Sequence, residues 1–147
     1  MPLRPLRASD AVALSGWLPS VAAETGCDRW AGVDALRATS NTLLYRDGRA
    51  EAFVAYGMDA PLPGCACIDL LAVAPARRRL GSGSRAALAL ERKLARSTKR
   101  LYVRVPSRTG LALYFWLRLG YRPLTQREWP VVPDGGHVSV WMVRQLR

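Results

Sequence analysis

The spacing of apolar and polar positions along the chain predicts strands separated by helices. The longest apolar run, Cys65–Val73, is interrupted only by Asp69, which is typical of a central strand buried on both faces. Shorter segments with strand patterns stand before and after it. They cover residues 3–6, 42–45, 51–56, 100–105 and 137–143, and Tyr121 opens one more.

Helical periodicity fills the intervals between these strands. Ser9 and Asp10 can cap a helix that runs to residue 18, and further helices are predicted at 33–38, 84–96 and 109–119. Gly120 is placed to end the last of these helices. The predicted order is β-α-α-β-β-β-α-β-α-β-β, a mixed α/β (α+β) fold with about six to seven strands and about four helices on the faces of the sheet.

Length and composition favour one folded domain. The 147 residues are enough to bury a core, and 50% of them are hydrophobic, which argues against disorder. We find no linker-like stretch or repeat and expect a single domain over residues 1–147. No apolar run is long enough to cross a membrane, and residues 1–10 lack the apolar core of a secretory signal. These features predict a cytoplasmic protein without a membrane partner.

The formal charge of +11 comes almost entirely from arginine. All but Lys93 and Lys99 of the 22 basic residues are Arg, the side chain favoured where phosphates or carboxylates are gripped in a fixed geometry. The charge is compatible with a nucleic-acid partner or with a polyanionic cofactor. No RNP, zinc-finger or helix-turn-helix signature singles out nucleic acid.

The cysteines indicate neither a disulfide framework nor a metal site. Cys27, Cys65 and Cys67 are odd in number, and no extracellular context supports pairing. Together with the single histidine, His137, they do not make a zinc site. We interpret them as small buried hydrophobes and predict no metal.

The segment after the central strand has the features of a pyrophosphate-binding loop. It passes from the strand end through an Arg- and Gly-rich loop into a helix, whose first N–H groups are unpaired and carry partial positive charge. Gly81 and Gly83 allow close approach of the backbone to an anion, and Ser82 and Ser84 add hydroxyl donors. A Walker A loop is excluded because no Lys ends this loop. A dinucleotide fingerprint is disfavoured because the loop follows an antiparallel hairpin rather than a βαβ unit.

These residues resemble a known family. Arg78-x-x-Gly81-x-Gly83 resembles the [Gln/Arg]-x-x-Gly-x-[Gly/Ala] motif of the GNAT superfamily of N-acetyltransferases. Upstream, Leu71-Ala72-Val73-x-Pro75 is similar to the family's strand-then-proline lead-in. Downstream, Leu117-Arg118-Leu119-Gly120-Tyr121 is similar to the ending of the family's second cofactor helix. The order of elements fits the GNAT fold, with a mixed and mostly antiparallel sheet, over nearly the whole chain.

The resemblance implies acetyl-CoA as co-substrate and assigns residues to it. The backbone of Leu71, Ala72 and Val73 would pair with the pantetheine arm and orient the thioester carbonyl. The loop would bind the pyrophosphate. This loop set comprises Arg78, Arg79, Leu80, Gly81, Ser82, Gly83 and Ser84. Ser107 stands near a position where the family often has Asn, and is equally compatible with a plain helix start.

The catalytic positions depart from the family pattern. Trp116 stands where many members have the Tyr that protonates the CoA thiolate, and an indole N–H is not a usable acid. Tyr114 is the substitute candidate for this acid. Asp69, on the central strand, is the candidate base, with a salt bridge to an arginine as the alternative interpretation. Glu24 and Glu51 are weaker candidates.

The function implied is transfer of an acetyl group from acetyl-CoA to a primary amine by direct attack in a ternary complex. Two alternatives stay open: a degenerate domain that binds acyl-CoA as a sensor, and an acetyltransferase acting on an RNA-linked amine. The sequence identifies no acceptor, and a homodimer is compatible with it.

Overall fold

The computed structural model divides the chain into two compact units. One comprises Met1–Tyr56 and Leu70–Leu90, and the other comprises Gly57–Asp69 and Glu91–Arg147. The structure describes residues 3–10, 14–18, 20–21, 41–47, 50–74, 81–106, 110–125, 127–128 and 139–146.

The first unit contains the strand order β1-β2-β3-β4. These strands are β1 (Leu3–Pro5), β2 (Asn41–Asp47), β3 (Ala50–Met58) and β4 (Cys65–Val73), and the last two continue into the second unit. β1 pairs antiparallel with β2, and β2 pairs antiparallel with β3. A short 3₁₀ helix, Ala8–Asp10, follows β1, and its Asp10 accepts two hydrogen bonds from the Arg4 guanidinium at 2.7 and 2.9 Å.

The core of this unit is built on one face of β4. Leu70 and Ala72 are buried with Phe53 and Ala55 of β3 against apolar residues of the helical segment that follows the 3₁₀ turn, namely Leu14, Leu18 and Val21. Side chains alternate between the faces of a strand, so Leu71 and Val73 lie on the opposite face and are only half-buried.

The second unit contains the order β4-β5-β7-β6, with β5 (Arg100–Pro106), β6 (Arg122–Pro123) and β7 (Ser139–Gln145). β4 and β5 are parallel, and β7 is antiparallel to both β5 and β6. One face of this sheet forms a second core. Its buried members are Cys65, Cys67, Tyr102, Leu124, Trp141 and Val143.

Two α-helices complete the described part of the chain. Helix α1 (Ser82–Leu94) begins in the first unit and ends in the second, and α2 (Gly110–Arg118) belongs to the second. Gly120 follows α2 with a φ of 95°, the left-handed conformation that commonly ends a helix. The helix end predicted at Gly120 is therefore confirmed.

Most predicted elements are found, with shifts at their ends. The segment predicted at 84–96 is helical from Ser82 to Leu94, because Gly81 adopts φ 79° and its carbonyl accepts the first helical bond from the Arg85 N–H at 3.0 Å. The continuous helix expected over 9–18 is instead a 3₁₀ turn and a broken helical segment. The helix expected at 33–38 lies outside the described residues. Within the described part, Cys65 and Cys67 are thiols rather than disulfide partners, and both are buried as expected.

A buried polar network joins the end of α1 to the segment after α2. Glu91, only 8% exposed, accepts hydrogen bonds from the Tyr121 hydroxyl at 2.9 Å and from Arg144 Nη1 at 3.1 and 3.2 Å. The same nitrogen of Arg144 donates to the Leu119 carbonyl at 2.8 Å. Burial, followed by the nearby charge of Glu91, raises the pKa of Tyr121, so the hydroxyl stays protonated and donates.

Among the described residues, no helix is long and apolar enough to cross a membrane. No group of three or more His, Cys, Asp or Glu side chains is arranged to hold a metal ion among those residues.

Candidate active site

The carboxyl end of β4 presents backbone and half-buried side chains on the face opposite the core. Leu71 and Val73 share that face, whereas Ala72 is 2% exposed and packs inward. The parallel ladder between β4 and β5 ends at the pair Ile68↔Val103, although β4 continues to Val73. This part of β4 belongs to the first unit, as does the start of α1.

The first turn of α1 has the features of an anion-binding helix start. Ser82, Gly83 and Ser84 are its first residues, and N–H groups at these positions have no partner within a helix. Gly81 holds a left-handed φ of 79°, which is costly for any residue with a Cβ. The Ser82 hydroxyl is buried without a hydrogen-bond partner among the described residues. A buried hydroxyl beside free N–H groups fits a site built to receive an anionic group such as a pyrophosphate.

Several predicted cofactor residues are not placed by the structure. Arg78, Arg79, Leu80 and Ser107 lie outside the described residues, so their roles stay predictions. Glu24 lies outside as well, and for Glu51 only the backbone in β3 is described. The structure describes the positions of the other members of the predicted cofactor set: Leu71, Ala72, Val73, Gly81, Ser82, Gly83 and Ser84.

Asp69 lies in the second unit, in a half-buried position beside an arginine. Its Oδ1 is 3.5 Å from Nη2 of Arg104, a residue of β5 that also stacks over the Trp141 ring at 5.6 Å. The Cys67 thiol donates to the same oxygen across 3.9 Å. Burial raises the pKa of Asp69 to about 6, while the hydrogen bond from Cys67 lowers it. Burial is the larger of these two effects on the pKa of Asp69.

The two interpretations of Asp69 are therefore both compatible with its surroundings. The carboxylate has the arginine neighbour that a structural salt bridge requires. It also titrates close to neutral pH at a half-buried position, as a catalytic base does. Its role as a base stays a prediction.

The positions considered for the general acid differ sharply in exposure. Tyr114 is 60% exposed on α2, with the Arg118 guanidinium 5.7 Å from its ring. Trp116 is 5% exposed and packs edge-to-face with Phe115 at 5.0 Å and with Tyr121 at 4.9 Å. Trp116 is therefore a packing residue, and Tyr114 is the hydroxyl on α2 that solvent reaches.

A sequence comparison identifies the family. Residues 19–121 match the model of the acetyltransferase (GNAT) family, which covers well over half of the chain and includes β4, the loop and both described helices. The chain belongs to the GNAT family. Comparison with curated proteins gives no significant match.

Solved structures of GNAT acetyltransferases have the same fold over nearly the whole chain. An acetyltransferase from Thermus thermophilus is 21% identical, with a TM-score of 0.76 over 99% of this chain and 97% of its own. YncA from Salmonella typhimurium, solved with its cofactor acetyl-CoA, is 16% identical, with a TM-score of 0.71 over 99% and 93%. PaiA N-acetyltransferase from Thermoplasma acidophilum, solved with coenzyme A, is 13% identical, with a TM-score of 0.69 over 97% of each chain.

Two features of this GNAT domain were missed by sequence reasoning. Arg104 beside Asp69 depends on the register of parallel strands that are far apart in sequence. The network of Glu91 with Tyr121 and Arg144 joins residues 30 and 53 positions apart. One sequence feature points to Arg104: it is a charged residue inside the predicted strand 100–105.

The left-handed turn at Gly81 gives a first testable prediction. We expect Gly81→Ala to weaken acetyl-CoA binding by about tenfold, because a Cβ at this φ costs about 1–2 kcal/mol and shifts the N–H groups of the helix start. The change is measured by isothermal titration calorimetry. Gly57→Ala is the control, since Gly57 has no positive φ and an added Cβ there meets nothing within 4 Å. Equal affinities for the two variants would contradict the assignment of this turn.

Proposed function

We propose that this GNAT domain transfers an acetyl group from acetyl-CoA to a primary amine. The observation that carries the proposal is the start of α1, where a left-handed glycine precedes a buried, unpartnered serine hydroxyl and the first N–H groups of a helix. The acetyl-CoA and coenzyme A in the structures of YncA and PaiA support the choice of anion. A cytoplasmic location, as predicted from the sequence, is compatible with this co-substrate.

Each group of residues has a proposed part in binding. The backbone N–H groups of Ser82, Gly83 and Ser84 bind the pyrophosphate, assisted by the helix dipole. The free part of β4, Leu71 to Val73, receives the pantetheine arm as an added strand. A backbone N–H of this part of β4 hydrogen-bonds the thioester carbonyl and stabilises negative charge as it develops there.

The proposed chemistry is direct attack in a ternary complex. Acetyl-CoA supplies an activated acyl group with a good leaving group, and binding both reactants in one complex supplies most of the rate enhancement. As the amine nitrogen bonds to the carbonyl carbon, its proton passes to Asp69, directly or through water. Tyr114 is the proposed donor of a proton to the leaving sulfur, since Trp116 is buried in packing contacts.

The proposal is tested by release of free thiol from acetyl-CoA in the presence of a panel of primary amines. Amine-dependent thiol release with a matching N-acetylated product is the expected result. Tight binding of acetyl-CoA without turnover on any amine would favour the sensor, which the loss of the usual tyrosine at position 116 makes the second candidate. No binding of acetyl-CoA at all would contradict both.

A further inference from the structure

We call the left-handed turn at Gly81, which precedes α1, the glycine turn. At the other end of α1, the chain carries a dense group of cations. They are Arg92 and Lys93 in the last turn of the helix, then Arg96, Lys99 and Arg100 up to the start of β5, and all five are exposed. We call residues 92–100 the basic turn. No acidic residue occurs within it, and it lies wholly in the second unit.

The described carboxylates leave four of the five cations in the basic turn without an ion pair. Asp10, Asp69, Glu91 and Glu128 pair with Arg4, Arg104, Arg144 and Arg122. Asp59 accepts the N–H of Gly64. Across the described ranges, Lys93, Arg96, Lys99 and Arg100 have no ion pair with a carboxylate.

Helix stability accounts for only part of this group. Cations in the last turn interact favourably with the helix dipole, which explains Arg92 and Lys93. Arg96, Lys99 and Arg100 lie beyond the helix end at Leu94. Like charges that lie near one another repel, and the helix dipole acts only within the last turn.

The backbone under the cations is fixed in place. The N–H groups of Ser97 and Thr98 donate to the Leu94 carbonyl at 3.0 and 2.9 Å, and the Lys99 N–H donates to the Gly64 carbonyl at 2.9 Å. The Lys99 carbonyl accepts the Leu146 N–H at 2.8 Å. A partner therefore has little backbone to order on binding, which favours affinity.

The side chains of the basic turn indicate which class of anionic partner it suits. Leu94 is buried, and the exposed large hydrophobic residues that the structure describes, Met58, Leu88, Tyr114 and Leu117, lie outside the turn. Stable attachment to a membrane surface takes apolar side chains in addition to charge, and tight protein interfaces have buried anchor residues. The turn also has no aromatic side chain on which unpaired bases could stack. What it offers is charge alone, which suits the phosphate backbone of duplex nucleic acid.

We propose that the basic turn binds the phosphate backbone of double-stranded nucleic acid without sequence preference. Both backbones of a duplex are exposed and present a dense and regular array of phosphates. Each cation that contacts a phosphate releases a condensed counterion. This binding is independent of acetyl transfer and of the glycine turn, so it holds or fails whether or not the proposed function is correct.

The test is fluorescence anisotropy of a labelled mixed-sequence RNA hairpin and a DNA hairpin of equal stem length, over a range of NaCl concentrations. For Lys93→Gln with Arg96→Gln, we expect about tenfold weaker binding at low salt and a log–log salt slope smaller in magnitude by about 1.8. Both hairpins are expected to respond. The matched control is Arg118→Gln with Arg127→Gln, which removes two exposed charges elsewhere and should weaken binding less than about threefold.

Three outcomes would overturn the proposal. If the two double variants lost equal affinity for the hairpins, binding would depend on the net charge of the protein and not on the basic turn. Absence of hairpin binding at low salt would exclude the site. Binding to vesicles of anionic phospholipid, or to an acidic polypeptide such as polyglutamate, but not to either hairpin would assign the turn to another partner. Circular-dichroism melts of both variants separate loss of binding from loss of folding.

Discussion

Replacing Asp69 by Asn is expected to lower kcat/KM for amine acetylation by about 10²–10⁴-fold, the range typical for loss of a general base. The amide is nearly isosteric with the carboxylate and cannot accept the proton of the attacking amine. Affinity for acetyl-CoA, measured by calorimetry, should change little, because the proposed cofactor contacts are backbone groups of β4 and α1. The measurement is steady-state thiol release with a fixed amine acceptor.

The pH dependence of kcat/KM also tests the role of Asp69 as a base. Burial raises the pKa of Asp69 to about 6, and a base works only in its deprotonated form. The kcat/KM of the wild type should therefore fall as the pH drops through about 6. Arg104→Gln, which removes the positive charge 3.5 Å away, should move this limb to higher pH. Wild-type activity in Asp69→Asn would reduce the pair to a structural salt bridge, and an unmoved limb in Arg104→Gln would assign the limb to a group other than Asp69.

The second large effect concerns folding rather than catalysis. Glu91→Ala is expected to lower the free energy of unfolding by about 3 kcal/mol, because it leaves the Tyr121 hydroxyl and the Arg144 guanidinium without their carboxylate. Tyr121 is 2% exposed, so water does not replace the lost acceptor. Urea denaturation followed by circular dichroism measures the difference.

Two matched variants separate the parts of this network. Glu91→Gln keeps an acceptor for the Tyr121 hydroxyl but loses the charge facing Arg144. We therefore expect its free energy of unfolding to fall by about half as much as that of Glu91→Ala. Tyr121→Phe should cost about 1 kcal/mol, since Arg144 still satisfies the carboxylate. If Glu91→Ala were as stable as the wild type, the network would not be holding the end of α1 to Tyr121 and β7.

Features with a local cause could be predicted from the sequence. The run at Cys65–Val73 and the glycine after α2 depend on neighbouring residues alone, and both are found as predicted. The sequence predicts the start of α1 two residues late, at Ser84 instead of Ser82, because the left-handed conformation of Gly81 has no unique sequence signal. The opening helix is broken where Gly16 interrupts it.

Features that depend on distant pairing could not be predicted. The contact of Arg104 with Asp69 exists because β5 lies parallel to β4 in one particular register. A shift of one residue would place Arg104 on the other face. Likewise, nothing in the sequence joins Tyr121 to Glu91 and Arg144, which come from two other elements. The sequence also contains no local pattern that identifies the acceptor of the acetyl group.

The proposed acetyl-CoA site is tested most directly by titrating isotopically labelled protein with acetyl-CoA and following its backbone amide resonances. We predict saturable shifts of the amides of Leu71, Ala72 and Val73 in β4 and of Ser82, Gly83 and Ser84 in α1, with the amides of the basic turn at Arg96 and Lys99 unchanged. Absence of binding at millimolar acetyl-CoA, or binding that leaves the amides of β4 and α1 unmoved, would contradict the proposed site.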